Sequence, residues 1–99
     1  MREIAVRTQL SNKVDADEVR EVLGDALRNQ AELANERRAY FKQACRVFER
    51  QYQISSQEFM RQFESGDLGD DADYFDWYAA KRGLDLWERR FSILSGVQV

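Results

Sequence analysis

The 99-residue sequence contains no histidine, no proline and a single cysteine, and these absences exclude particular kinds of chemistry. Without histidine there is no Ser-His or Cys-His nucleophile pair, and the usual zinc ligand sets are missing. The single thiol, Cys45, cannot form an intramolecular disulfide, and its helical surroundings predict a half-buried structural role. We therefore expect a protein that is not an enzyme and that uses no cofactor and no metal.

Long apolar runs are also missing. No segment is long enough to cross a bilayer, and the N-terminus does not have the pattern of a signal peptide. We therefore expect a cytoplasmic protein that has no membrane partner.

Charge is plentiful, but it is distributed unevenly. Residues 1–50 hold 10 basic and 9 acidic side chains, whereas residues 51–99 hold 5 basic and 9 acidic ones, so the net charge changes from +1 to −4. The overall value of −3 argues against a nucleic-acid partner. An acidic C-terminal half fits either a solvated helical surface or the surface of a basic protein partner. One helix side is nevertheless basic, and it carries Arg37, Arg38, Lys42, Arg46 and Arg50.

Side chains at positions 3–10 alternate between the two sides of an extended chain, with Ile4, Val6, Thr8 and Leu10 on one side, and this pattern predicts a half-buried β-strand over residues 1–10. A lone strand is not stable, so this one needs a neighbour. Three neighbours fit the sequence: the short alternation at 97–99, the same strand of a second copy, or the sheet edge of another protein.

A helical pattern follows over residues 15–52, opened by Asp15 or Asp17 as the N-cap. Gly24 lies inside this pattern, and residues 28–38 are markedly polar, so there the helix is either continuous and exposed, or bent, or broken. A continuous helix of this length would span roughly 54 Å. Such a length favours a hairpin of long helices, or an arm that extends past its own domain.

A second helix is predicted over residues 56–65. Ser55 and Glu58 have the spacing of a capping box, and Ile54 and Phe59 flank them as a hydrophobic staple. Gly66 suits the left-handed position that ends a helix.

A third helix is predicted over residues 71–95, capped by Asp70 or Asp71, with a possible kink at Gly83 and an ion pair between Asp85 and Arg89. Its apolar seam recurs at steps of three and four and comprises Trp77, Ala80, Leu84, Trp87, Phe91 and Leu94. The expected fold is therefore mainly α. It is a single helical domain over residues 1–99, in which one long and two shorter helices pack as a hairpin or bundle beside the short strand.

The acidic segment 67–76 resembles a calcium loop only in composition. An EF-hand loop that started at Asp67 would place Phe75 at the ninth position and Tyr78 at the twelfth, where oxygen ligands are needed. Helix capping and the helix dipole explain these acids without a metal.

A dense group of aromatic residues lies in the third helix and offers the best candidates for partner-binding anchors. Trp and Tyr are enriched at interface hot spots, although a purely internal core is the alternative role for the same side chains. The candidates are Tyr74, Trp77, Tyr78, Trp87 and Phe91.

The C-terminal half resembles small prokaryotic antitoxin-like proteins that are encoded beside toxin genes. The resemblance rests on Tyr52-Gln-Ile-Ser at the helix start, on Phe59 and Phe63, on the turn Gly66-x-Leu-Gly-Asp, and on Phe75-x-Trp. It implies a non-enzymatic protein that neutralises a cognate toxin, such as a ribonuclease, through its helical surface. The alternative hypothesis is a structural homo-oligomer whose long helices pair with each other and that has no toxin partner.

Overall fold

A computed structural model describes residues 14–99, and in this range the chain forms three helices: α1 (Ala16–Tyr52), α2 (Ser56–Glu64) and α3 (Ala72–Gly96). Tyr52 at the end of α1 contacts Tyr74 at the start of α3, while Arg38 lies over Phe91, so α1 and α3 run antiparallel. This arrangement confirms the expected mainly α hairpin. The strand predicted over residues 1–10 lies outside the described residues.

Helix α1 is continuous through residues 28–38, where the sequence left its continuity open. Its 37 residues make a helix about 56 Å long, which accounts for the longest dimension of 62 Å. Asp15, rather than Asp17, is the N-cap, because its Oδ1 accepts a hydrogen bond of 2.9 Å from the Glu18 amide. Helix-favouring residues fill the polar middle, and the fully buried Ala34 anchors it.

Helix α3 is shorter than α1, so it does not cover the whole of it. The last turn of α3 and the residues that follow it, Val97–Val99, lie beside Gly24, Leu27 and Ala31 of α1. The first two turns of α1, residues 16–23, therefore extend past the end of α3, and we call this segment the arm.

At the start of α2, one of the two hydrogen bonds of the predicted capping box is formed. The Ser55 hydroxyl accepts a bond of 3.1 Å from the Glu58 amide, as expected. The Glu58 carboxylate does not return that bond, because it forms an ion pair with Arg61 at 2.7 Å. A carboxylate of α1 serves the helix start as well, since Glu49 accepts a hydrogen bond of 2.8 Å from the Ser56 amide. At the other end of α2, Gly66 has the expected left-handed φ of 79°.

Helix α3 begins after Asp71, whose side chain accepts a bond of 2.9 Å from the Asp73 amide. The predicted pairing of Asp85 with Arg89 is wrong, because Asp85 instead accepts from Lys81 at 2.7 Å. The Lys81 side chain is only 22% exposed, whereas Arg89 is exposed.

The helix runs through Gly83 without interruption, and packing explains this glycine better than a kink does. The Phe41 ring of α1 lies so close that a Cβ at position 83 would be 2.7 Å from its Cε1 atom. The absence of a side chain thus allows α1 and α3 to approach each other closely.

The core lies at the closed end of the hairpin, where all three helices meet. Its buried members are Cys45, Phe59, Trp77, Ala80 and Leu84. Towards the other end only α1 and α3 remain in contact, and fewer of their side chains are fully buried.

We expect Gly83→Ala to lower the free energy of unfolding by about 1 kcal/mol, because overpacking against Phe41 outweighs the gain in helix propensity. Gly24→Ala is the matched control. Its new Cβ would meet only the mobile end of Arg28, so it should raise stability by about 0.5–1 kcal/mol. Thermal and urea unfolding followed by circular dichroism measures both. Equal stabilisation by the two variants would contradict this account of Gly83.

Candidate partner-binding surface

Trp77, a predicted partner anchor, is instead the centre of the core, with 0% of its surface exposed. Its ring stacks on Phe59 with a centroid separation of 4.0 Å and also contacts Phe48 and Tyr52. Its indole Nε1–H donates a bond of 2.9 Å to the Ser56 hydroxyl. Because every side of the indole is occupied within the chain, Trp77 does not belong to the accessible surface.

Tyr74 and Tyr78, two further predicted anchors, are half-buried at the edges of this core. The Tyr74 ring lies 5.6 Å from that of Tyr52, and Tyr78 stacks on Phe63 at 4.8 Å. Each ring is therefore partly used in joining helices, and only its outer part remains accessible.

Trp87 and Phe91, the remaining predicted anchors, are half-buried nearer the open end of the hairpin and are overlaid by arginines. The Arg37 guanidinium lies 4.6 Å from the Trp87 ring, and that of Arg38 lies 4.4 Å from the Phe91 ring. These cation–π contacts attach part of the predicted basic side of α1 to α3. The two cations thus have an intramolecular role.

The most exposed large apolar side chains of α3 are ones that the sequence did not single out. Phe75, Leu86 and Ile93 are 55%, 45% and 55% exposed. With the exposed Ala79 they form a stripe along α3, on the side opposite Trp77, Ala80 and Leu84, and we call this the outer stripe. The helical spacing of the outer stripe is present in the sequence. The seam on the opposite side, which contains Trp77, is more aromatic and gives the stronger signal.

A second exposed row follows α1. Val22, Tyr40 and Val47 are 66%, 71% and 49% exposed, and the half-buried Leu33 lies between them. Leu33 and Tyr40 also line a shallow groove with Trp87 of α3. We call the row formed by Val19, Val22, Ala26, Leu33, Tyr40, Ala44 and Val47 the flank stripe.

One hydroxyl and one thiol near the closed end have raised pKa values. The Tyr52 hydroxyl donates a bond of 2.8 Å to Asp73, and this bond raises the pKa of Tyr52 to about 12. Burial raises the pKa of the Cys45 thiol above its ordinary value. The hydrogen bond from Tyr52 to Asp73 joins the end of α1 to the first turn of α3, and Cys45 is a buried thiol of the core.

Over residues 14–99 no group of three His, Cys, Asp or Glu side chains is arranged to hold a metal ion. Within the same range, none of the helices is both long and apolar enough to cross a membrane. No protein-family model, curated protein or solved structure matches this chain.

We expect Ser56→Ala to lower the free energy of unfolding by about 1–2 kcal/mol, because it leaves the buried indole N–H of Trp77 without a partner. Ser92→Ala is the control, since Ser92 is exposed on α3 and its loss should change stability by less than about 0.5 kcal/mol. Urea unfolding monitored by tryptophan fluorescence measures both. A similar, small effect of the two substitutions would show that the hydrogen bond contributes little.

Tyr52 should give stability a dependence on alkaline pH. Because its folded pKa of about 12 exceeds the ordinary value of about 10, the contribution is complete below pH 10 and is lost as the pH rises towards 12. The difference in stability between the wild type and Tyr52→Phe should therefore shrink across this window. Tyr40→Phe, which removes an exposed phenol, is the control. A constant difference between wild type and Tyr52→Phe would contradict the assignment.

Proposed function

We propose that this chain is a non-enzymatic, antitoxin-like protein that binds and neutralises a cognate toxin through its helical surface. The observation that carries the proposal is the outer stripe of α3. A helix that already packs one side into a core leaves three large apolar residues exposed on the other side. A row of this kind is a frequent mark of a protein-binding surface.

The geometry of the outer stripe suits an extended contact. Its members recur at steps of four and seven from Phe75 to Ile93, so they keep to one side of the helix. The 18 steps between these two residues cover about 27 Å. Because α3 is supported along this length by α1, it can lie in a groove of a partner without having to fold on binding.

The charge at the Phe75 end of the outer stripe favours a partner with a basic region, whereas Arg82 and Arg89 lie beside the rest of the stripe. The Phe75 end carries Asp76 and follows the turn that contains Asp70 and Asp71, and residues 51–71 have a net charge of −4. A toxin that acts on RNA needs a cationic surface to hold phosphates. The acidic end of α3, placed over such a surface, would compete with the RNA and would block the toxin without any chemistry by this chain.

The resemblance of the C-terminal half to antitoxin-like proteins supports the same proposal. The exposure of the side chains changes which residues we propose as anchors. Phe75, within the Phe75-x-Trp77 motif, is exposed, whereas Trp77 is buried. We propose Phe75, Leu86 and Ile93 as the central anchors and the accessible edges of Tyr74 and Tyr78 as the rim. Trp87 and Phe91 lie under arginines and belong to another face of the hairpin.

Co-expression with the product of the adjacent gene tests the proposal. We expect a stable complex in which the growth arrest caused by that product is relieved. Phe75→Glu and Leu86→Glu should each weaken binding by at least about 30-fold, because they place a charge in the apolar contact at a cost of about 2 kcal/mol or more. Isothermal titration calorimetry measures the affinities.

Ala39→Glu is the matched control, since it introduces the same charge at an exposed apolar residue of α1 that belongs to neither stripe. It should leave toxin binding within about threefold of the wild type. Failure of the two proteins to co-purify, or equal loss of binding in Ala39→Glu and Leu86→Glu, would contradict the proposal.

A further inference from the structure

We infer that a second copy of this chain covers the flank stripe of α1, so that two hairpins associate antiparallel about a two-fold axis near Leu33. This inference concerns a different face from the outer stripe and does not depend on the toxin partner. Three observations carry it: the spacing of the stripe, the distribution of charge along α1, and the arm that extends past α3.

The flank stripe has the spacing of a helix-pairing seam. Val19, Ala26, Leu33, Tyr40 and Val47 recur every seven residues, which keeps them on one side of a long helix. Tyr40 and Val47 are 71% and 49% exposed, so much of this side of α1 is accessible, although Ala44 packs partly against the core and Leu33 lies near Trp87 of α3. The stripe runs for 28 residue steps, or about 42 Å.

The distribution of charge along α1 indicates that the partner is a second copy of the chain and that the two α1 helices run antiparallel. Residues 16–32 contain five acidic and two basic side chains, a net charge of −3, whereas residues 33–52 contain two acidic and five basic ones, a net charge of +3. Two parallel copies would place like charges side by side. Two antiparallel copies place the acidic half of each α1 beside the basic half of the other, so the chain is complementary to itself.

An antiparallel register about Leu33 also matches the side chains by size. It places Val19 beside Val47 of the second copy and Val22 beside Ala44. Ala26 comes to lie beside Tyr40, so a small residue meets the largest residue of the stripe. Because the axis is two-fold, each of these contacts occurs twice.

The arm gains most from this arrangement. The arm lies beyond the part of α1 that borders the end of α3, and its Val22 is 66% exposed. In the dimer the arm of each copy lies along the closed half of the other, beside Ala44 and Val47. The groove lined by Leu33, Tyr40 and Trp87 borders the same contact, so Trp87 lies at its edge.

Sedimentation of the purified full chain between about 1 μM and about 1 mM tests the inference. We expect a concentration-dependent species of twice the 11.7 kDa of one chain, and weakening of the dimer as salt screens the opposed charges. Tyr40→Glu should be monomeric throughout. Leu86→Glu, an equal charge change on the outer stripe, should keep the wild-type association. A wild type that stays monomeric or forms a larger assembly overturns the inference.

Charge reversal tests the antiparallel direction separately. Glu18→Arg or Arg50→Glu should each raise the dimer Kd by about tenfold, since each introduces two like-charge contacts. The chain that carries both reversals should return to within about threefold of the wild type. Double-reversed chains that remain folded by circular dichroism but do not recover association overturn the register.

A further variant tests the same contact in case Tyr40→Glu does not fold. Ala26→Trp adds bulk at an exposed position that lies opposite Tyr40 only in the dimer. It should abolish association without reducing helicity. Unchanged association in this variant overturns the register, and binding of the toxin, measured as above, remains an independent result.

Discussion

The stack of Trp77 on Phe59, closed by the hydrogen bond from the indole to Ser56, is the contact on which the rest of the hairpin depends. It joins α3 to α2, and the neighbouring rings of Phe48 and Tyr52 join it to α1. Large aromatic side chains bury about 150–250 Å² each, which corresponds to roughly 4–6 kcal/mol per side chain before entropy is counted. No other place in the described chain brings all three helices together in this way.

Because this contact lies at one end, the hairpin changes in character along its length. At the closed end aromatic rings interlock, whereas further along arginine guanidinium groups lie over Trp87 and Phe91. The arm at the far end of α1 relies on helix propensity and on the Asp15 cap. Local stability should therefore decrease from the core towards the arm. Most of the exposed large apolar side chains lie along the two stripes rather than in the core.

The helices and their inner seam could be predicted from the sequence, because periodicity, capping residues and Gly66 are local signals that act within one element. The contacts between elements could not. Glu58 pairs with Arg61, Asp85 pairs with Lys81, and Gly83 accommodates Phe41, and each of these outcomes depends on competing neighbours or on another helix. The partner-binding residues could not be predicted for the same reason. A stripe of aromatic residues indicates burial, but it does not show whether another helix of the chain or a second protein covers the stripe. Trp77 is covered within its own chain.

The two proposed interfaces use faces of the hairpin that do not overlap, and this has a consequence for how they combine. The flank stripe belongs to α1 and the outer stripe to the far side of α3, so pairing through the first leaves the second accessible. A two-fold dimer would then present two outer stripes, related by the axis at Leu33 and displaced towards opposite ends of the pair. Two toxin molecules could be held by one dimer, and a toxin that is itself dimeric would be bound with an avidity that a single hairpin lacks. Self-association of α1 would in this way strengthen neutralisation without contributing any residue to the toxin contact.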